Sequence, residues 1–142
     1  MLRESIEKVL KGYLNNKNEN FADNELAKVI RTELPEILEN ITKNSYLYKF
    51  QGSAGQGMWA NCPWIAILDN KITNSVQSGY FPVYLFREDM RGVYLSLMFG
   101  TEDFKSKFGD NAKEEMISKA SNCRKKYPEI LDTFKETKID LA

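Results

Sequence analysis

The 142-residue chain contains no histidine. That removes the commonest general base, the usual partner of a nucleophilic serine or cysteine, and the commonest transition-metal ligand, so most hydrolytic mechanisms lack a residue to run on. Cysteine is scarce as well. Cys62 and Cys123 lie far apart, in no CxxC or CxxxH arrangement, which supports neither a disulfide framework nor a zinc site. No apolar run approaches the length that crosses a bilayer, and the charged amphipathic start has no leader-like apolar stretch. The sequence therefore predicts an untargeted, soluble, cytoplasmic chain with no membrane partner. Net charge is missing too: 20 basic residues balance 20 acidic ones, so no overall basic field gathers nucleic acid non-specifically. The balance is uneven along the chain. The first forty residues are net acidic, whereas Lys43, Lys49, Lys71, Arg87 and Arg91 outnumber Asp69, Glu88 and Asp89 between 41 and 100.

What is present concentrates between residues 55 and 100. Both tryptophans, a glycine-flanked loop and three short runs rich in β-branched and aromatic residues fall here: GQGMWANCPWIAIL, SGYFPVYLF and VYLSLMFG. Runs of this length and composition read as strands. Tyr46, Tyr48 and Phe50 alternate with Leu47 and Lys49, predicting a strand from Ser45 that Gly52 ends. Trp64 to Leu68 does not alternate, which predicts a strand buried on both faces, opened by Pro63. REDMRG makes a tight turn between Tyr80–Phe86 and Val93–Phe99, so that pair reads as an antiparallel hairpin.

The flanks have helical spacing. Leu2, Ile6, Val9, Leu10, Tyr13 and Leu14 predict a helix near 2–14, broken by the cluster Asn15, Asn16, Asn18 and Asn20. Asn24 caps a second helix near 24–39, with Pro35 forcing a boundary after Arg31 or a new turn. Phe104, Phe108, Ala112, Met116, Ala120 and Cys123 predict a third, near 111–126, capped by Asp110 or Asn111 and stopped by Tyr127 and Pro128. Ile130, Leu131 and Phe134 suit one further helical turn. The expected fold is α+β: a largely antiparallel sheet over residues 45–100 between N-terminal and C-terminal helices, in one domain spanning 1–142.

Little here points to catalysis. Glu88 and Asp89 sit in a turn, and with Asp69 they are the only acids of the central unit, so no convergent carboxylate set holds a divalent ion. Gly55 and Gly57 around Gln56 lack the lysine and following helix of a phosphate cradle. They suit a tight turn before a strand, or an exposed finger whose backbone approaches a ligand closely. No cofactor is called for. Strand aromatics are usually core, but Phe81, Val83 and Leu85 share one strand face, as Tyr80, Pro82 and Tyr84 share the other, and a flat apolar slot there suits a planar ring.

In their order, GQGMWANCPWIAILD, SGYFPVYLF and VYLSLMFG resemble the N-terminal domain of the McrB family of modified-cytosine restriction proteins. The resemblance covers about a third of the chain. It implies a DNA-binding module, not itself an enzyme, that recognises 5-methylcytosine-type bases in double-stranded DNA by flipping the base into an aromatic pocket. A nuclease or GTPase module would lie on the same chain or a partner subunit, so this chain reads as a domain excised from a larger restriction protein that serves in defence against phage. By position, Trp64 and Phe81 would stack on or line the extruded base and Leu85 would contact its ring. Gly55, Gln56 and Gly57 would form the DNA-contacting loop. Two departures stand out. Gln56 occupies the place of an aromatic wedge, and relatives continue past the segment resembling KIDLA to supply a further pocket aromatic: either Tyr127 or Phe134 fills that place here, or the domain is truncated at its C-terminus. The alternative from another class is a protein-interaction or small-ligand module in which the same aromatics are core.

Overall fold

The computed structural model describes residues 1–135 and 138–142. Four strands, β1 (Tyr48–Gly55), β2 (Trp59–Asp69), β3 (Tyr80–Phe86) and β4 (Val93–Phe99), form an antiparallel sheet in that spatial order. Helices stand before and after it, so the fold is α+β. The Trp64–Leu68 segment is a strand and 80–99 is a hairpin.

The first strand differs from expectation at both ends. Ser45–Leu47 is a 3-10 turn entered through Asn44, whose φ of 54° is a left-handed conformation that asparagine tolerates. The strand therefore starts at Tyr48. Nor does Gly52 end it, because this glycine is where the sheet meets the helical layer: a Cβ there would collide with the Ile30 carbonyl. A side chain is what the position excludes, not an extended backbone.

The helical layer is α1 (Leu2–Asn16), α2 (Glu25–Lys28) and α3 (Leu34–Ile41). Asn24 caps α2, its side chain accepting from the N–H groups of Leu26 and Ala27 at 2.9 and 3.2 Å. Of the two outcomes that the sequence leaves open at Pro35, the structure takes the new turn, which holds Ile37 and Leu38 in α3. Residues Val29–Glu33 widen into a π-helical turn, the Leu34 N–H bonds back to the Val29 carbonyl, and Pro35 falls in the first turn of α3, where a missing N–H costs least. That widened turn is also what presses Ile30 onto Gly52.

The C-terminal helical pattern resolves into α4 (Thr101–Phe108), α5 (Ala112–Lys126) and α6 (Ile130–Thr133). Gly109, at φ 52°, separates α4 from α5. Asn111 takes the N-cap position of α5 without a side-chain cap bond. No helix among the described residues is long and apolar enough to cross a membrane.

Register divides the sheet into two faces. The inner face carries Ile65, Tyr84 and Phe86, which join Val9, Tyr13, Ile30 and Leu34 of the helices in one cluster. The outer face carries Ala66, Leu68, Phe81, Val83 and Leu85. Among the described residues, those packed against it from outside the sheet are half-buried: Val76 from the loop after β2, and Ile139 and Leu141 from the 138–142 segment.

Candidate nucleic-acid interface

The β1–β2 hairpin outruns the sheet. β2 pairs with β3 only at Trp64, Ile65 and Ala66, so the stretch before Trp64 has β1 alone beside it. Its ladder is also broken. Ser53 pairs with Trp64 but Gly55 pairs with Trp59, which leaves the residues between Trp59 and Trp64 bulged out of β2. A bulge re-aims the strand that leaves it, and here that strand opens with Trp64. Pro63 suits the bulge because it has no N–H to leave unpaired.

The inner layer braces this finger from one side. The fully buried Tyr13 hydroxyl lies within hydrogen-bond reach of the Ala54 and Ala60 carbonyls, one on each side of the bulge. Burial pushes this phenol well above its ordinary pKa, so it stays a neutral donor. Trp59 meets Tyr13 and Phe21 edge-on, with ring centroids 5.4 and 5.1 Å apart, and its Nε1–H donates to the Glu19 carbonyl. Lys17 reaches the Asn61 Oδ1 at 3.0 Å. The tip beyond this brace is bare. Gln56, Gly57 and Met58 are all exposed, Met58 to 74%. Gly55 and Gly57 have φ of 129° and 72°, and a Cβ on Gly55 would collide with the Met58 carbonyl, so the loop requires its first glycine for space as well as for conformation.

Trp64 and Leu85 are directly opposite each other on the outer face, Trp64 half-buried and Leu85 9% exposed. Phe81 shares that face but lies four residues down β3, about 13 Å at strand rise. It is 3% exposed and paired with Met98. The structure therefore brings Trp64 and Leu85 together and sets Phe81 behind them in the outer cluster.

Residues 138–142 return to this face. The Leu141 carbonyl accepts from the Glu88 N–H at 2.7 Å and lies 3.8 Å from the Cys62 Sγ, beside the Trp64–Leu85 pair. Burial, with the Glu88 carboxylate next in weight, pushes the Cys62 thiol up, which favours its neutral form. Arg87 holds the same segment through the Asp140 and Ala142 carbonyls and grips both Asp89 oxygens. That grip keeps the Asp89 carboxyl well below the usual range. Among the described residues no three His, Cys, Asp or Glu side chains gather as a metal site would require.

A separate cleft of about 400 Å³ runs between β4 and the C-terminal helices, lined by Tyr94, Met98, Cys123, Arg124, Phe134 and Ile139 among others. Trp64, Phe81 and Leu85 do not line it. Phe134 belongs to this cleft, and Tyr127 is exposed at the end of α5; the residues of the 138–142 segment that pack against the outer cluster are aliphatic, Ile139 and Leu141.

Sequence reasoning missed two features. Met58 carried a signal, an apolar side chain directly after a glycine pair, that went unused. Arg87 and Leu141 carried none, since their association spans more than fifty positions and depends on where the last residues return.

A braced, exposed hairpin tip beside a half-open apolar sheet face defines an α+β recognition module. The chain matches the MrcB-like N-terminal domain family over residues 8–142 and belongs to that family. Membership implies a DNA-binding module of a restriction system. No curated protein and no solved structure gives a significant match.

Proposed function

We propose that this chain is the domain of a restriction system that reads modified cytosine, of the 5-methylcytosine type, in double-stranded DNA by base flipping, and is not itself an enzyme. The observation that carries the reading is the hairpin finger: its root is locked by Tyr13 and Trp59, while an exposed Met58 stands at its tip. Rigid support under an apolar tip is what a wedge needs, because inserting it between base steps costs a few kcal/mol of unstacking. Met58 serves as that wedge, and Gln56 hydrogen-bonds the orphaned partner base. The flipped ring stacks at Trp64 with Leu85 along its edge, and Phe81 backs them from the outer cluster. Cutting the DNA falls to a nuclease or GTPase-driven module, on the same chain or on a partner.

Titrating methylated and plain duplexes across a salt series tests the reading. The expected result is tighter binding to the methylated duplex, with a shallow salt slope for a chain of zero net charge. Trp64→Ala should lose stacking of roughly 1–3 kcal/mol on the methylated duplex. Equal affinity for both duplexes would reject modified-base reading, and no duplex binding at all would reject the DNA-binding role of the finger. The cleft beside β4 favours the second reading, a small-ligand module, whose binding would not fall with salt in this way.

A further inference from the structure

We propose that Arg87 is the positioning residue of the base pocket: it pins residues 138–142 so that Leu141 walls the opening beside Trp64 and Leu85, and so governs discrimination at cytosine ring position 5. This rests on the functional reading just given.

An arginine near a DNA-facing end would ordinarily be assigned to a phosphate. Here four of its five N–H donors are already engaged. Nε and Nη2 bond the two Asp89 oxygens at 2.9 and 2.8 Å, Nη1 donates to the Asp140 carbonyl at 3.0 Å, and Nη2 donates to the Ala142 carbonyl at 2.8 Å. The Leu141 carbonyl between them is taken by the Glu88 N–H. Three successive carbonyls are thus captured by two adjacent residues. The Ala142 N–H folds back onto the Asp140 carboxylate, fixing the turn of the segment. The clamp itself is anchored: the Arg87 N–H bonds the Gly92 carbonyl across the β3–β4 turn.

The consequence falls on Leu141, which packs, as Trp64 does, against the outer cluster that holds Leu85. An aliphatic wall held at fixed distance discriminates by shape: it rewards a methyl group that fills the gap and leaves a void where hydrogen stands. A planar guanidinium that reaches a carboxylate and two carbonyls together is not matched by lysine, which has a single ammonium centre.

The test compares the parent chain with Arg87→Gln, Arg87→Lys and Leu141→Ala on methylated and plain duplexes across salt. A parallel set in a Cys123→Ser background follows alkylation of Cys62, which the segment covers. We expect Arg87→Gln and Leu141→Ala each to cut the preference for the methylated duplex about five-fold or more, which is about 1 kcal/mol, with the salt slope unchanged. Cys62 alkylation should quicken in Arg87→Gln, with Arg87→Lys between it and the parent. Several results overturn the proposal. If both duplexes weaken equally and the slope falls by about one, Arg87 is a phosphate contact after all. Faster alkylation with preference intact means that the segment is not a pocket wall, and tighter binding of both duplexes by Leu141→Ala means that it is a plug. An Arg87→Gln chain that fails to fold leaves Leu141→Ala, a half-buried truncation, to decide. A parent without preference overturns the functional reading and this inference together, whereas a parent with preference and an unchanged Leu141→Ala ratio overturns this inference alone.

Discussion

The two faces of one sheet are covered by different means. On the inner face, buried residues come from both sides of the interface, Val9, Tyr13, Ile30 and Leu34 from helices and Ile65 and Phe86 from strands. On the outer face every buried residue of the cluster comes from a strand, and what covers them is half-buried loop and tail. A helix that buries its own side chains cannot leave without exposing them, so the inner contact is part of folding. A cover that keeps half its surface in water gives up less when it shifts. The proposed recognition face is thus the one where the domain loses least by opening, and the finger borrows its stiffness from the other side through Tyr13 and Trp59.

The sharpest way to break this contrast is at the contact between layers. Gly52→Ala drives a methyl group into the Ile30 carbonyl, a backbone atom fixed by the π-helical turn. It should cost more than about 3 kcal/mol, beyond ordinary overpacking, because neither the strand nor the turn can yield alone. Urea unfolding measures it, and a loss below about 1 kcal/mol would mean that the two layers slide freely. Next in size is a matched pair of truncations. Leu34→Ala, in the fully buried inner cluster, should cost about 2–5 kcal/mol. Leu141→Ala on the outer face should cost about 1 kcal/mol or less. Similar losses at the two sites would erase the distinction between folding core and cover.

At the tip the expected effect moves from stability to binding. Met58→Ala should leave the unfolding midpoint within about 0.5 kcal/mol of the parent, since the side chain is 74% exposed. It should nevertheless weaken duplex binding about ten-fold, while Gln56→Ala weakens it less. Binding equal to the parent in Met58→Ala would return the finger to a plain turn.

Much of this architecture was legible because it is local. Period-two alternation at Phe81, Val83 and Leu85, the apolar block Ile65 to Leu68, and the cap at Asn24 are each written within a few residues, and the strands and helices follow. Where the reading failed, the cause was non-local. Gly52 looked like a strand end because glycine usually is one; only the arrival of Ile30 from another element explains it. Pro35 left a boundary and a new turn both open because the widened turn that absorbs it has no sequence mark. For the candidate site, periodicity placed Phe81 with Leu85 on one face, the resemblance added Trp64 to them, and neither specifies distance along the strand, where Phe81 lies four residues from Leu85. The bulge before Trp64, the covering of Cys62 and the clamp of Arg87 all depend on tertiary contacts that no window of the sequence contains.

The smallest effects separate the two faces by pH. Asp89 is held below its ordinary pKa by the Arg87 hydrogen bonds first and by the Arg91 N–H after them. A depressed folded-state pKa contributes stability that is complete above the unfolded value of about 4 and is lost as pH falls through the folded one. Arg87, whose own pKa the same pair raises, stays charged throughout. Tyr13 has the opposite sign. Burial raises its folded-state pKa, so its contribution is complete below the unfolded value of about 10 and fades as pH rises beyond it, when the unfolded chain gains by ionising. The outer clamp should therefore weaken only in acid and the inner brace only in base. Measured as differences from the parent, the cost of Asp89→Asn should be constant from about pH 5 to 8 and shrink below about pH 4. The cost of Tyr13→Phe should be constant to about pH 9 and shrink above about pH 10. Differences between parent and variant cancel the titration of every group that the substitution leaves alone. An Asp89→Asn cost that persists unchanged to pH 2 would show that Arg87 holds the segment without its carboxylate partner, through the Asp140 and Ala142 carbonyls alone.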